Sequence, residues 1–151
     1  MFKIDIHTHI LPENLNDVTG KFTDSRFLTI DPVYKTSAML KKDGKSFRKV
    51  DCNCWNHQAR INDCDYTKVN MQVLSTLPVL FCYWAKDDDC LALSQFLNDH
   101  IVQICRQEPQ RFIGLGTIPM QNSDMAISEM ERCVNELKFP GIEIGSNING
   151  E

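Results

Sequence analysis

Short apolar runs alternate with helical patterns along this chain, and the alternation limits the possible folds more than any other feature. The runs occupy residues 2–6, 71–77, 112–118 and 141–145, and proline or glycine residues punctuate them. Runs of this length, bounded by turn-forming residues, are typical of buried strands. The sequence therefore predicts four strands, widely separated along the chain.

Apolar residues at helical spacing predict helices between the later runs. Residues 88–107 place apolar side chains at i, i+3, i+4, i+8 and i+11, which form one stripe of a helix. A similar stripe predicts a helix over 123–138 with Asn122 or Ser123 as its cap, and a weaker pattern predicts one over about 58–68. Strands that alternate with helices indicate an α/β fold built from parallel βαβ units.

A long polar stretch, residues 13–56, separates the first strand from the first helix. Within it, Asp43-Gly44 favours a hairpin turn. Long connections of this kind are usually functional. We interpret the stretch as an insertion over the carboxyl end of the sheet.

Charge and hydropathy argue against several classes of partner. The net charge of −4 gives no electrostatic reason to expect nucleic acid or an anionic membrane. No apolar run reaches the roughly 18 residues of a membrane-spanning helix, and charged residues interrupt the N-terminal segment, which does not fit a signal peptide. A cytoplasmic location is the default expectation.

The first strand carries the most informative motif, His7-Thr8-His9. Residues two apart in a strand share a face, so Asp5, His7 and His9 are expected on one side, with Ile4, Ile6 and Ile10 on the other. Two imidazoles about 7 Å apart along a strand can converge on one cation, and neutral imidazole is a preferred Zn²⁺ ligand. The alternative is that both are ordinary surface or core histidines. Their position at the end of a strand, before a loop, favours the metal role.

Two histidines do not complete a catalytic zinc site, which takes three protein ligands and a water. Asp5 fits a supporting or structural role better than a ligand role. His100 lies on the predicted helical stripe and is expected to be a packed, hydrogen-bonded histidine, and His57 a solvated one. The seven cysteines are scattered and odd in number, so we expect reduced packing thiols.

Beyond this motif, the chain resembles the aminocarboxymuconate-semialdehyde decarboxylase family of the amidohydrolase superfamily, over that family's N-terminal half. The matching stretches run nearly from end to end, in order: residues 3–12, 42–48, 53–55, 74–79, 83–86, 111–121 and 129–134.

The resemblance implies a TIM-like (β/α)₈ barrel with one Zn²⁺, of which this chain supplies a half barrel of about four βα units. It implies nonhydrolytic decarboxylation of 2-amino-3-carboxymuconate 6-semialdehyde in tryptophan–kynurenine catabolism. His7 and His9 match the first two zinc ligands. Arg48 matches an arginine that binds a substrate carboxylate, and Lys42 is a second candidate for that contact. The resemblance also implies a homodimer for the full-length protein.

The remaining ligands, the acid–base histidine and a second substrate arginine belong to later strands of the family. A complete barrel needs about 250 residues, so we expect no catalytic residue within this chain and no decarboxylation by the chain alone. Two alternatives stay open. One is a metal-dependent amidohydrolase or phosphoesterase on the same barrel, and the other is a non-catalytic truncated partner of the full-length enzyme.

Overall fold

A computed structural model describes residues 1–150 and contains two three-stranded sheets. The strands are β1 (Ile4–Ile10), β2 (Thr29–Tyr34), β3 (Ser37–Lys42), β4 (Lys45–Asp51), β5 (Met71–Thr76) and β6 (Phe112–Gly114). The α-helices are α1 (Asn16–Thr19), α2 (His57–Thr67), α3 (Asp87–Gln107) and α4 (Ser123–Asn135). Two single-turn 3₁₀ helices occupy Cys52–Cys54 and Pro78–Leu80.

The first sheet is parallel, in the order β1-β5-β6, with α2 and α3 as the crossovers. This confirms the predicted βαβ units and the three predicted helices. Asn122 caps α4, because its side chain accepts a hydrogen bond from the backbone N–H of Met125 at 3.1 Å. The helix ends at Asn135 rather than at residue 138, with Glu136 as its C-cap, and Lys138 beyond it adopts a left-handed conformation with φ of 64°.

The fourth predicted strand, residues 141–145, forms only a single parallel bridge between Ile142 and Gly116. Two backbone hydrogen bonds support it: Gly116 N–H donates to Gly141, and Glu143 N–H donates to Gly116. The segment is thus extended and lies beside the chain that follows β6. Its parallel direction agrees with the predicted βαβ units, but its regular pairing is limited to this bridge.

The second sheet, antiparallel in the order β2-β3-β4, lies within the stretch interpreted as an insertion. The turn between β3 and β4 is Asp43-Gly44, with φ of 53° and 67°, as expected for a two-residue hairpin with both central residues left-handed. Leu28, Leu40 and Leu15 pack with Leu93 and Leu97 of α3 in one core. This contact fixes the antiparallel sheet against the βα units.

The core of the parallel sheet lies between the strands and the three longer helices. Ile10, Ile61, Leu74, Ile101 and Phe112 are its main residues. The first half of β1 does not join it: Ile4 is 49% exposed and Ile6 is 76% exposed, whereas Ile10 is buried. The prediction of a buried run over 2–6 is therefore wrong for these residues. β1 is an edge strand in this sheet, and nothing among residues 1–150 covers that part of it.

Candidate metal centre

His7 and His9 lie side by side at the carboxyl end of β1. Their ring centroids are 4.9 Å apart, with the planes at 80°. The pairing of β1 with β5 shifts by one residue between Asp5 and Thr8, which is a β-bulge. The sequence predicted that the two rings would neighbour each other, and the structure brings them together. The regular two-residue alternation of side chains in a strand does not predict this bulge.

The hydrogen bonds around His9 determine which nitrogen is free. Nδ1 lies 3.0 Å from the carbonyl oxygen of Thr76 and 3.0 Å from Oγ of Ser75. A carbonyl oxygen only accepts, and the Ser75 hydroxyl donates to the carbonyl of Thr8 at 3.2 Å. Nδ1 must therefore carry the proton that these acceptors share. Nε2 keeps its lone pair and is free to bind a cation.

Arg60 of helix α2 forms hydrogen bonds to the end of β1 and to β5. Arg60 donates to the carbonyl oxygen of His9 at 2.6 Å and to Oε1 of Gln72 at 3.3 Å. Burial lowers the pKa of the Arg60 guanidinium from its usual value. These bonds, with that of the Leu11 N–H to the Cys54 carbonyl at 3.0 Å, fix the strand where it turns into the loop.

Asp5 supports the strand. Its Oδ1 accepts from the backbone N–H of His7 at 3.3 Å, and its Oδ2 accepts from the side chain of Gln72 at 3.4 Å. It bonds the backbone of the motif and the neighbouring strand, which agrees with the supporting role expected for it.

Glu143 approaches the histidines from the bridge segment. Its Oε1 lies 4.0 Å from Nδ1 of His9, and the two side chains are 22% and 23% exposed. Sequence reasoning gave Glu143 no role. Its place at the carboxyl end of the fourth predicted strand, the edge where His9 also lies, was the signal that could have singled it out.

A cavity of about 540 Å³ opens beside Glu143. It is lined by residues that follow β5 and the bridge segment, together with Lys42 of β3, and includes Tyr83, Trp84, Asn147 and Asn149. Tyr83 is held in place, since its hydroxyl oxygen accepts from the Gly145 N–H at 3.1 Å and burial raises its pKa. The phenol therefore stays protonated and offers a hydrogen-bond donor at neutral pH.

Lys42 and Arg48, the two residues predicted to bind a substrate carboxylate, lie in different places. Lys42 lines the cavity, whereas Arg48 is exposed on β4 and is not part of its wall. Arg48 forms no ion pair within 4.0 Å in the part of the chain that the structure describes. The structure thus brings Lys42, but not Arg48, to the cavity next to Glu143.

His57 and His100 lie apart from this site, on α2 and α3. Burial lowers the pKa of His100 to about 4, with a smaller contribution from His57. Its Nε2 is buried without a hydrogen-bond partner among residues 1–150, so the expectation of a hydrogen-bonded histidine is wrong for that atom.

No three His, Cys, Asp or Glu side chains within residues 1–150 are grouped to hold a metal ion. His7 and His9 thus offer two imidazoles, and a catalytic site of this kind needs at least one further protein ligand. The seven cysteines are unpaired. No helix in the described residues has the length and hydropathy needed to cross a membrane.

The family model described as amidohydrolase matches residues 4–151, almost the whole chain. The chain belongs to the amidohydrolase family. This confirms the superfamily predicted from the sequence and its TIM-barrel architecture.

Within this family, the chain is similar to 2-amino-3-carboxymuconate-6-semialdehyde decarboxylase from two organisms. The protein from Dictyostelium discoideum is 48% identical over 99% of this chain and 42% of its own length. The one from Caenorhabditis elegans is 36% identical over 97% of this chain and 41% of its own length. The amidohydrolase chain therefore spans about two fifths of the length of these curated relatives.

The fold of this chain is similar to that of a solved decarboxylase structure. The 5-carboxyvanillate decarboxylase of Novosphingobium aromaticivorans, complexed with manganese and a nitrobenzoic acid, superposes on 99% of this chain and 43% of its own length. The TM-score is 0.74 and the sequence identity is 19%, so the likeness is one of fold.

Proposed function

We propose that this amidohydrolase chain forms the first part of a divalent-metal-dependent decarboxylase, in which His7 and His9 are two of the metal ligands. The observation that carries the proposal is the paired imidazoles at the carboxyl end of β1, with Nε2 of His9 left free by its own hydrogen bonds. Zinc is the metal that the sequence resemblance favours. The solved decarboxylase relative contains manganese, so metal content has to be measured.

A divalent cation at this position supplies Lewis-acid chemistry, which stabilises negative charge on oxygen. The chain's own groups define where a substrate would lie. Arg60, Ser75 and Thr76 orient His9, and the cavity next to Glu143 offers the ammonium of Lys42 and the phenol of Tyr83 as donors. Both donors suit a ligand that carries carboxylates.

The charge distribution also favours an anionic substrate. Between residues 29 and 51 there are six Lys or Arg residues and three Asp, in a chain whose net charge is −4. The antiparallel sheet is thus a basic region of an acidic protein, and it contributes Lys42 to the cavity wall. Such a region attracts carboxylates toward the cavity. Arg48, exposed on this sheet, remains the second proposed carboxylate contact.

The substrate we propose is 2-amino-3-carboxymuconate 6-semialdehyde, on the basis of the two curated relatives that share at least 36% identity with nearly all of this chain. The place of this reaction in tryptophan–kynurenine catabolism follows from the same resemblance. The same resemblance also predicts a homodimer for the full-length protein.

A chimera tests the proposal with the chain in a complete barrel. This chain would replace the matching 42% of the Dictyostelium discoideum relative. The chimera should consume the semialdehyde, followed by its absorbance, and release CO₂. His9→Ala should lower kcat/KM at least about 100-fold, because loss of a direct ligand exceeds the loss of an outer-shell partner.

His57→Ala is the matched control, since His57 lies on α2 outside the site, and it should keep the chimera's activity. Turnover that survives both His7→Ala and His9→Ala would refute the proposed ligands. A folded, metal-loaded chimera that hydrolyses amides or phosphoesters but leaves the semialdehyde intact would favour the hydrolase instead.

A further inference from the structure

Glu143 is the acidic side chain that comes within 4.0 Å of His9, and its environment is unusual for a carboxylate. Its Oε1 lies 4.0 Å from Nδ1 of His9. Its Oε2 is buried and has no hydrogen-bond partner among residues 1–150. A buried carboxylate oxygen without a donor costs free energy, unless positive charge nearby offsets the loss of hydration.

The polar Nδ1–H group of His9 lies near this carboxylate. Because Nδ1 of His9 carries the ring proton, that N–H presents its positive hydrogen to the Thr76 carbonyl, Ser75 Oγ and, farther away, Glu143. At 4.0 Å the contact with Glu143 is too long for a hydrogen bond and acts as an electrostatic interaction. Partial burial of both side chains limits its screening by solvent.

We propose that Glu143 is a positioning residue for His9. Its negative charge beside Nδ1 favours the tautomer with the proton on that nitrogen, and so keeps the lone pair on Nε2, the atom proposed to bind a cation. An acceptor that takes the other ring N–H of a metal-binding histidine fixes the ring and raises the basicity of the ligating nitrogen. Here the Thr76 carbonyl is that acceptor, and Glu143 adds a negative charge 4.0 Å from the same nitrogen. This inference rests on the proposed cation site.

Nδ1 and Nε2 of an imidazole point in different directions. Glu143 lies next to Nδ1, whereas the proposed cation would bind at Nε2, so Glu143 acts on the cation through the His9 ring.

The test is Glu143→Gln, which keeps the shape of the side chain and removes its charge. In the 151-residue chain, Zn²⁺ association measured by competition with a chromophoric chelator should weaken about tenfold. In the metal-free chain, ¹⁵N NMR of histidine should show more of the Nε2–H tautomer at His9, whose signals are assigned by their loss in His9→Gln. Glu131→Gln, the same change at an exposed position of α4, should alter neither quantity.

Glu143→Asp is the second variant, because it retains the charge and should retain most of the zinc affinity. If Glu143→Gln leaves both the affinity and the tautomer ratio of His9 unchanged, the positioning role is overturned. If the wild-type chain shows Nδ1–H at His9 but binds zinc equally well after His9→Gln, the proposed metal ligand fails instead. The tautomer measurement needs no metal, so the two failures are distinguishable.

Discussion

Individual contacts to His9 come from residues that are distant in the sequence. Ser75 and Thr76 lie at the end of β5, and Arg60 lies on α2, 51 positions from His9. The His-x-His pair could be predicted because the two-residue repeat of a strand is local. Its partners could not, since their positions depend on how β5 and α2 pack against β1.

The buried His100 ring makes the stability of the chain depend on pH. Burial lowers its pKa from 6.5 to about 4 in the folded protein, so the folded state holds this ring neutral. Its contribution to stability is fully present above pH 6.5 and is lost as pH falls from 6.5 toward 4. We expect the free energy of unfolding to fall by up to about 3 kcal/mol over this range from His100 alone.

Urea unfolding followed by circular dichroism at pH 7, 6, 5 and 4.5 measures this effect. His100→Gln should show a shallower loss of stability over the same range, because glutamine does not titrate. An identical pH dependence in the two proteins would show that His100 is not the group responsible.

Secondary-structure elements were predicted better than the contacts between them. The helices from 57, 87 and 123 appear where apolar periodicity and the Asn122 cap placed them. The bridge segment and the exposed half of β1 were predicted less well, because both depend on neighbours in the sheet and not on local pattern. The turn at Asp43-Gly44 was predictable since both residues tolerate positive φ.

A buried polar network joins α3 to α4 and to the end of β6. Asn98, fully buried, donates to the Thr117 carbonyl at 2.8 Å and to Oε1 of Glu129 at 2.7 Å, and accepts from the Thr117 N–H at 2.8 Å. Arg132 forms an ion pair with the buried Glu129 at 2.8 Å and with Asp99 at 2.8 Å. Hydrogen bonding to Glu129 raises the pKa of Arg132.

Replacing Asn98 by Leu should therefore destabilise the chain by about 3–5 kcal/mol, because it leaves the N–H and the carbonyl of Thr117 buried without a partner and removes one of the two donors to Oε1 of Glu129. Asp99→Asn is the matched control: it removes the exposed partner of Arg132 and should cost less than about 1 kcal/mol. Urea unfolding at neutral pH measures both. Equal effects of the two variants would contradict the assigned importance of the buried network.

Across the molecule, the two sheets contribute different residues to the proposed site. The parallel sheet places His7 and His9 at the carboxyl end of β1, and the bridge segment beside it places Glu143 nearby. The antiparallel sheet supplies Lys42 and most of the local positive charge. The insertion was recognised from its length and polarity, but its sheet pairing and its packing on α3 depend on tertiary contacts that the sequence does not display.

We propose above that His7 and His9 together bind one cation at this end of β1. The most direct measurement is histidine ¹⁵N NMR of the chain during a zinc titration, since the sequence contains only four histidines. We predict that zinc shifts the signals of His7 and His9 together, with Nε2 of His9 as the ligating atom, and leaves those of His57 and His100 in place. Zinc binding that leaves the His7 and His9 signals unshifted, or that occurs through Nδ1 of His9, would overturn the proposed site.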